Sequence, residues 1–136
     1  MINSIEFHDS TISTIAHDDE AARLTLDAYV HRWERVNDSW KGTGWGQRVE
    51  ILVLGAAKVT SPELPAELRG GTVRSGQVTH ENLVPLPFTS SGPATIRFEL
   101  VSGQVLEVAG RQVVIVPTGD GHYIEDLPGE FRPSAG

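Results

Sequence analysis

Apolar and polar residues alternate with a period of two along most of the chain. In residues 23–30, Leu24, Leu26, Ala28 and Val30 occupy every second position, with polar residues or Tyr29 between them. Residues 94–101 repeat this alternation. Successive side chains of a β-strand point to opposite faces, so the pattern is typical of strands with one buried face.

Turn-forming residues separate these segments at intervals of about ten residues, which favours an all-β domain over a helical one. We predict an antiparallel sandwich or barrel of about eight or nine strands. Asp18-Asp19-Glu20 predicts a hairpin turn, because short acidic side chains accept hydrogen bonds from nearby backbone N–H groups. The chain allows at most one short helix, near residues 62–69, closed by Gly70 and Gly71. We expect a single domain over residues 1–136, with residues 128–136 as a loose tail.

Residues 34–46 break the alternation with polar residues and three glycines, which predicts a long loop. All three tryptophans of the chain lie at positions 33, 40 and 45, close to Arg32, Arg35, Lys41 and Arg48. Tryptophan and arginine are enriched in binding hot spots. Trp40 and Trp45 are therefore candidate binding residues, while packing of one or two indoles against the core is an equally good interpretation.

Composition narrows the possible functions. The chain has no cysteine, which excludes thiol catalysis, cysteine-bound metal and disulfides. Its net charge of −7 argues against nucleic-acid binding, which depends on neutralising phosphates with lysine and arginine. The N-terminus lacks the features of a secretory signal, and no apolar run approaches the roughly 20 residues that span a bilayer. We expect a cytoplasmic protein with no membrane partner.

The negative charge is concentrated at the two ends of the chain. Residues 1–20 carry −5 and residues 119–136 carry −3 of the total of −7. If the fold brings these ends together, they form one acidic face suited to a basic partner. The candidate binding residues on this face are Asp9, Asp18, Asp19, Glu125 and Asp126.

Each acidic end also contains histidine, so a metal site is an alternative. Its ligands would be His8, Asp9, His122 and Glu125, which are residue types that hold zinc, manganese or iron. The spacing fits no established metal motif, and neighbours such as His8 and Asp9 point to opposite faces if both are in a strand. We therefore predict no metal and no cofactor. There is also no Gly-x-Ser-x-Gly elbow and no phosphate-binding loop, so the sequence favours a non-enzymatic protein.

Several segments together resemble a group of small bacterial all-β proteins that begin with a His-Asp-Ser motif. The matching segments are Phe7-His8-Asp9-Ser10, the strand Leu24-Thr25-Leu26 after an acidic hairpin, the loop with glycine and tryptophan, and Gly121-His122-Tyr123-Ile124-Glu125. Some of these proteins are immunity proteins of polymorphic toxin systems. The resemblance implies tight binding to a toxin domain and its neutralisation.

Three hypotheses follow from these observations. The first is a binding protein, of the immunity type, that holds a basic partner such as a toxin domain through its acidic surface. The second is a small-molecule or metal-binding β-barrel with a site near His8 and His122. The third is a carbohydrate-binding module that uses Trp40 and Trp45 as a pair of coplanar, exposed indoles.

Overall fold

The computed structural model describes residues 1–56 and 59–129 of the chain. These residues form eleven β-strands and no helix, which confirms the all-β prediction and exceeds the predicted strand number. The predicted loose tail lies mainly outside the described residues. The strands are β1 (Ile2–His17), β2 (Ala21–Val36), β3 (Ser39–Leu54), β4 (Ala66–Ser75), β5 (Val78–Glu81), β6 (Leu83–Pro85), β7 (Phe88–Thr89), β8 (Ala94–Leu100), β9 (Val105–Gly110), β10 (Gln112–Pro117) and β11 (His122–Leu127).

Every strand pairing is antiparallel, and three long strands organise the sheet. The order is β7-β10-β3-β2-β1-β4-β8-β9, so β2 is central and the path among the described strands is open. β10 and β11 share one edge of β3, with β11 along its first half and β10 along its second. β6 and β4 share the free edge of β1 in the same manner.

One apolar core joins the long strands to β4, β8 and β9. Leu24 and Leu26 of β2 are fully buried in it, as the alternation of residues 23–30 predicted, and so is Ile51 of β3. Phe7 of β1 meets Phe98 of β8 edge to face, with ring centroids 5.0 Å apart. Burial of one such side chain is worth about 1.5–3 kcal/mol. The opposite face of β2 and β3 lies outside this core.

The predicted loop at residues 34–46 is wrong. β2 and β3 pair without interruption, from Ala21 opposite Leu54 to Val36 opposite Ser39. Only Asn37 and Asp38 form the turn, with φ angles of 49° and 63°. Two consecutive residues in the left-handed region match the tight type I′ hairpin, which continues the twist of the strands. Asparagine and aspartate tolerate this conformation better than other side chains.

The three glycines that suggested a loop form a flat track on β3. Gly42, Gly44 and Gly46 are all buried and, at every second position, they share the face of β3 away from the core. A Cβ atom on each would collide with the rings of Trp33, Tyr29 and His122, respectively. Each ring therefore lies directly on glycine backbone, a recognised way for aromatic side chains to stabilise glycine in a sheet.

The short helix near residues 62–69 does not form. Residues 63–65 are a bend, and β4 starts at Ala66. Pro65 has no N–H to donate to the first helical hydrogen bond, and it disfavours helical backbone at Leu64. Ala66 and Leu68 then alternate into the core between exposed neighbours, which is the period of a strand.

The pairing also defines the connections near Asp9 and residues 109–111. Asp9 and Ser10 do not end the first strand, because β1 continues from Ile2 to His17. Residues 109–111 do not close a hairpin, because β9 pairs with β8 whereas β10 pairs with β3. The acidic hairpin turn after His17 is present as predicted. Within the described part of the chain, no helix has the length and apolar character required to cross a membrane.

The glycine track yields a stability prediction. Gly42→Ala should destabilise the fold by about 1–3 kcal/mol, because the new methyl group must displace the fully buried Trp33 ring. Gly70→Ala is the matched control, since a Cβ there has nothing within 4 Å. We expect the control to change stability by less than about 1 kcal/mol, in the stabilising direction. Urea unfolding of both variants measures the difference, and equal midpoints would contradict close packing of Trp33 on Gly42.

Candidate functional site: an acidic cleft

The His-Asp-Ser motif forms a large bulge in β1. Between Glu6 and Thr11, four residues of β1 lie opposite the single residue Ala28 of β2. Asp9 has a φ of 74°, in the left-handed region. The motif therefore interrupts the β1–β2 ladder and leaves the side chains of His8 and Asp9 55% and 59% exposed. Bulges commonly re-aim side chains beside functional sites.

Ser10 fastens this bulge to β2. Its side chain is buried, and its hydroxyl donates to the Glu6 carbonyl at 2.6 Å. The same oxygen accepts the backbone N–H of Tyr29 at 3.0 Å. The bulge leaves these two backbone groups without their normal ladder partners, so the serine replaces the missing sheet hydrogen bonds.

Asn82 holds the other side of the bulge. Its backbone carbonyl accepts the N–H of Phe7 at 2.9 Å, and its side-chain oxygen accepts the N–H of His8 at 2.7 Å. Asn82 itself has a φ of 63°. The exposed tip of the bulge is thus anchored from both β2 and the β5–β6 connection, which fixes the direction in which Asp9 points.

A cleft of about 620 Å³ lies beside this bulge, on the face of β2 and β3 away from the core. The bulge forms one wall, and the segment from Thr118 to Ile124 forms the other. β1 and β11 flank the β2–β3 pair, so the walls stand three strand spacings apart, about 14 Å. The cleft is lined by Asp9, Thr11, Asp27, Ala28, Tyr29, Gly46, Gln47, Arg48, Thr118, Gly119, Asp120, His122 and Ile124.

The lining brings the two acidic ends of the sequence together. Asp9 comes from the N-terminal end, and Asp120 comes from the C-terminal end. Asp27 of β2 adds a third carboxylate, and Arg48 is the one lysine or arginine in the lining. The cleft therefore has a negative field, and the rigid sheet beneath it holds the charges in place.

Tyr29 links the cleft to β11. Its hydroxyl donates to Glu125 Oε1 at 2.5 Å, and its ring meets the ring of His31 edge to face at 5.4 Å. Burial, followed by the hydrogen bond to Glu125, raises the pKa of the Tyr29 phenol well above its ordinary value. His31 is itself buried and lies 2.8 Å from the Glu6 carboxylate. The tyrosine ring is thus fixed from two sides.

The remaining predicted acidic residues do not line this cleft. Asp18 and Asp19 lie in the β1–β2 turn. Oδ1 of Asp18 accepts the backbone N–H groups of Glu20 and Ala21, which lowers the pKa of its carboxyl group. Asp126 accepts the hydroxyl of Tyr123 at 2.8 Å. Asp18 thus has a structural role in the turn. Glu125 does not line the cleft but accepts the hydrogen bond of Tyr29, which does.

The two candidate tryptophans do not form a common surface. Trp40 and Trp45 are five residues apart in an uninterrupted strand, so they point to opposite faces of β3. The guanidinium of Arg32 covers the Trp45 ring, 4.1 Å from its centroid, and Tyr123 meets it edge to face. Coplanar, exposed indoles are therefore not present, which removes the basis of the carbohydrate hypothesis.

The predicted four-residue metal site does not assemble either. Among residues 1–56 and 59–129, the group whose ligand atoms all lie within 4.8 Å of one another is Glu6, His8 and Asp9. His122 and Glu125 are not part of it, so no three of the predicted ligands meet. Exposed acidic groups commonly cluster without an ion. We do not assign a metal centre.

Sequence reasoning missed Asp27, Tyr29, Arg48 and Asp120 as cleft residues. Asp27 and Tyr29 were placed correctly on the polar face of their strand, but the partner across that face was unknown. The usable signal was the spacing of the three glycines at every second position, which marks close approach of rings to backbone. Comparison of the chain with protein-family models, curated proteins and solved structures finds no match.

The bulge gives a first prediction for this site. Ser10→Ala should destabilise the fold by about 2–3 kcal/mol, because it leaves a part-buried carbonyl and a part-buried N–H without partners. Ser13→Ala is the control on the same strand, since Ser13 makes one hydrogen bond, to the Thr25 carbonyl at 3.0 Å. Chemical denaturation should show the larger loss for Ser10. A loss no greater than that of the control would contradict the role of this serine.

The tyrosine hydrogen bonds give a second prediction. The chain has two tyrosines, and hydrogen bonding to a carboxylate contributes to raising the pKa of both. Each neutral phenol therefore contributes stability below its unfolded-state pKa of about 10, and that contribution is lost as the pH rises through the higher folded-state pKa. We expect tyrosinate absorbance to develop at a higher pH in the folded chain than in the chain unfolded by urea.

Glu125→Gln tests the cause of the shift at Tyr29. It should lower the tyrosinate midpoint of Tyr29 the more, because the anionic hydrogen-bond acceptor is lost, and that of Tyr123 the less, because Glu125 raises its pKa through charge alone. Glu99→Gln, whose carboxylate pairs with Arg97 at 2.9 Å, serves as the charge-matched control. The assignment would be contradicted if the folded chain formed tyrosinate at the same pH as free tyrosine. Equal titration curves for the two variants would also contradict it.

Proposed function

We propose that the protein is a non-enzymatic binding protein, an immunity-type inhibitor that holds a basic protein such as a toxin domain. The observation that carries this proposal is the convergence of Asp9, Asp27 and Asp120 in one open cleft. The three carboxylates come from β1, β2 and the β10–β11 connection. Complementary fields of this kind speed association and select partners of opposite charge.

The construction of the cleft supports recognition of a large partner. Its floor is formed by paired strands, and its walls are an anchored bulge on one side and a strand edge with its preceding turn on the other. Such a surface changes little on binding, so few side chains need to be ordered when the partner arrives. A rigid surface with like charges spread across about 14 Å suits a protein surface better than a single ion.

A small-molecule site is the second candidate, and the cleft volume of about 620 Å³ falls within the usual range for such sites. Small-molecule pockets, however, are mostly apolar and enclose the ligand. Here the lining is dominated by carboxylate, hydroxyl, amide and imidazole groups, and Ala28 and Ile124 are its main apolar members. The polar character favours the protein partner.

Genetic rescue tests the proposal. The product of the gene adjacent to this chain's own gene should arrest growth when expressed alone in a bacterial host, and co-expression of this chain should restore growth. The variant D9N/D27N/D120N should lose the rescue, because it removes the field of the cleft while asparagine still tolerates the backbone at position 9. The purified complex should also weaken as salt is raised.

The control variant D38N/E63Q/E107Q removes the same charge from residues outside the cleft lining and should rescue as well as the native chain. Circular dichroism confirms that both triple variants fold. A harmless neighbouring product would contradict the inhibitor function. Rescue that survives loss of the three cleft carboxylates would contradict the assignment to this surface.

A further inference from the structure

We infer that the cleft holds an arginine side chain of the partner protein, stacked on the ring of Tyr29 between the carboxylates of Asp27 and its neighbours. This inference rests on the proposed function and specifies the group that is recognised. It combines three features of the cleft: a fixed aromatic ring, neighbouring carboxylates, and an open volume of about 620 Å³.

The ring of Tyr29 is held in a fixed position beside the cleft. Tyr29 lies across Gly44, where a Cβ would collide with its hydroxyl, and Glu125 holds that hydroxyl at 2.5 Å. The ring also meets the ring of His31 edge to face. A cation over the face of such a ring is attracted by its quadrupole, and the attraction increases where water is partly excluded.

Several carboxylates lie near this ring. Asp27 precedes Tyr29 by two residues, so both side chains project from the same face of β2. The negative charges of Asp9 and Glu6 are close enough to Tyr29 to help raise the pKa of its phenol. Arg48 lies directly opposite Asp27 on β3 and leaves the net charge of the lining negative.

Arginine fits this arrangement better than lysine. A guanidinium group is planar, so it can stack on an aromatic ring while its edge donates hydrogen bonds to carboxylates. An ammonium group is a compact, strongly hydrated charge without a face to stack. The chain itself uses the arginine geometry elsewhere, where Arg32 covers the ring of Trp45 at 4.1 Å.

Peptide titration of the native chain tests the inference. The probes are acetyl-Gly-Arg-Gly-amide and acetyl-Gly-Lys-Gly-amide, and the readout is the shift of backbone amide signals in nuclear magnetic resonance spectra. We expect the arginine peptide to shift Asp27, Tyr29 and Gly46 and to bind more tightly than the lysine peptide, on the order of threefold to tenfold.

Variants separate the ring from the charge. Tyr29→Leu should weaken arginine binding on the order of fivefold and remove the preference over lysine, because it deletes the stacking surface. Tyr29→Phe keeps the ring and should keep the preference, and it decides the case if Tyr29→Leu does not fold. Tyr123→Leu is the matched control, since Tyr123 also donates to a carboxylate but does not line the cleft.

Equal affinity for the two peptides, signals that shift outside the cleft, or an arginine preference that survives Tyr29→Leu would overturn the inference. These results are distinguishable from failure of the proposed function. If the neighbouring product is neutralised through the cleft carboxylates but the peptides bind equally, the inhibitor function stands and the arginine assignment fails. If the arginine peptide is preferred but the product of the neighbouring gene is neither toxic nor bound, the arginine assignment stands and the inhibitor function fails.

Discussion

The unbroken pairing of β2 with β3 is the constraint on which the rest of the structure depends. Sixteen residues of each strand pair in continuous register, and every other part of the sheet attaches to this ribbon through β1 or through the free edge of β3. One face of the ribbon carries the apolar core, and the other carries the glycine track and the cleft. A shift of one residue in this register would exchange the two faces, so the position of the core and the position of the cleft are set together.

The bulge in β1 is the second constraint, and it explains the His-Asp-Ser motif in structural terms. Ser10 and Asn82 supply the hydrogen bonds that the interrupted ladder loses, while His8 and Asp9 reach solvent. The motif therefore has a buried half that stabilises and an exposed half that is available for recognition. Left-handed backbone at Asp9 carries a cost, and it persists because hydrogen bonds to β2 and to the β5–β6 connection hold the bulge.

The fold class could be predicted from the sequence because alternation with period two is local information, and Leu24 to Val30 carry it without ambiguity. The turn after His17 was predictable for the same reason, since the Asp18 side chain accepts backbone N–H groups of the residues that follow it in the turn. The continuity of β3 was not predictable from composition, because glycines at positions 42, 44 and 46 are also typical of a loop. Their place in a strand becomes evident only from the rings of β2 and β11 that pack over them. The cleft depends on strand order, which brings Asp9 and Asp120 to either side of the β2–β3 ribbon, and no local pattern encodes that order.

The same topology is our reason for proposing recognition of a partner by the charged ends of the chain. Acid–base catalysis requires a donor and an acceptor within hydrogen-bond distance of one reacting atom. The cleft instead distributes its carboxylates over the floor and two walls, which stand three strand spacings apart, about 14 Å, and one arginine also lies on the floor. Distributed charge on a rigid surface acts through its field, which guides a partner before contact and is weakened by salt. Stacking on Tyr29 acts only after contact, because it depends on a planar group lying against the ring. In the complex that we propose, the negative field would accelerate the encounter, and stacking on Tyr29 would slow dissociation of a partner that carries an arginine at the contact.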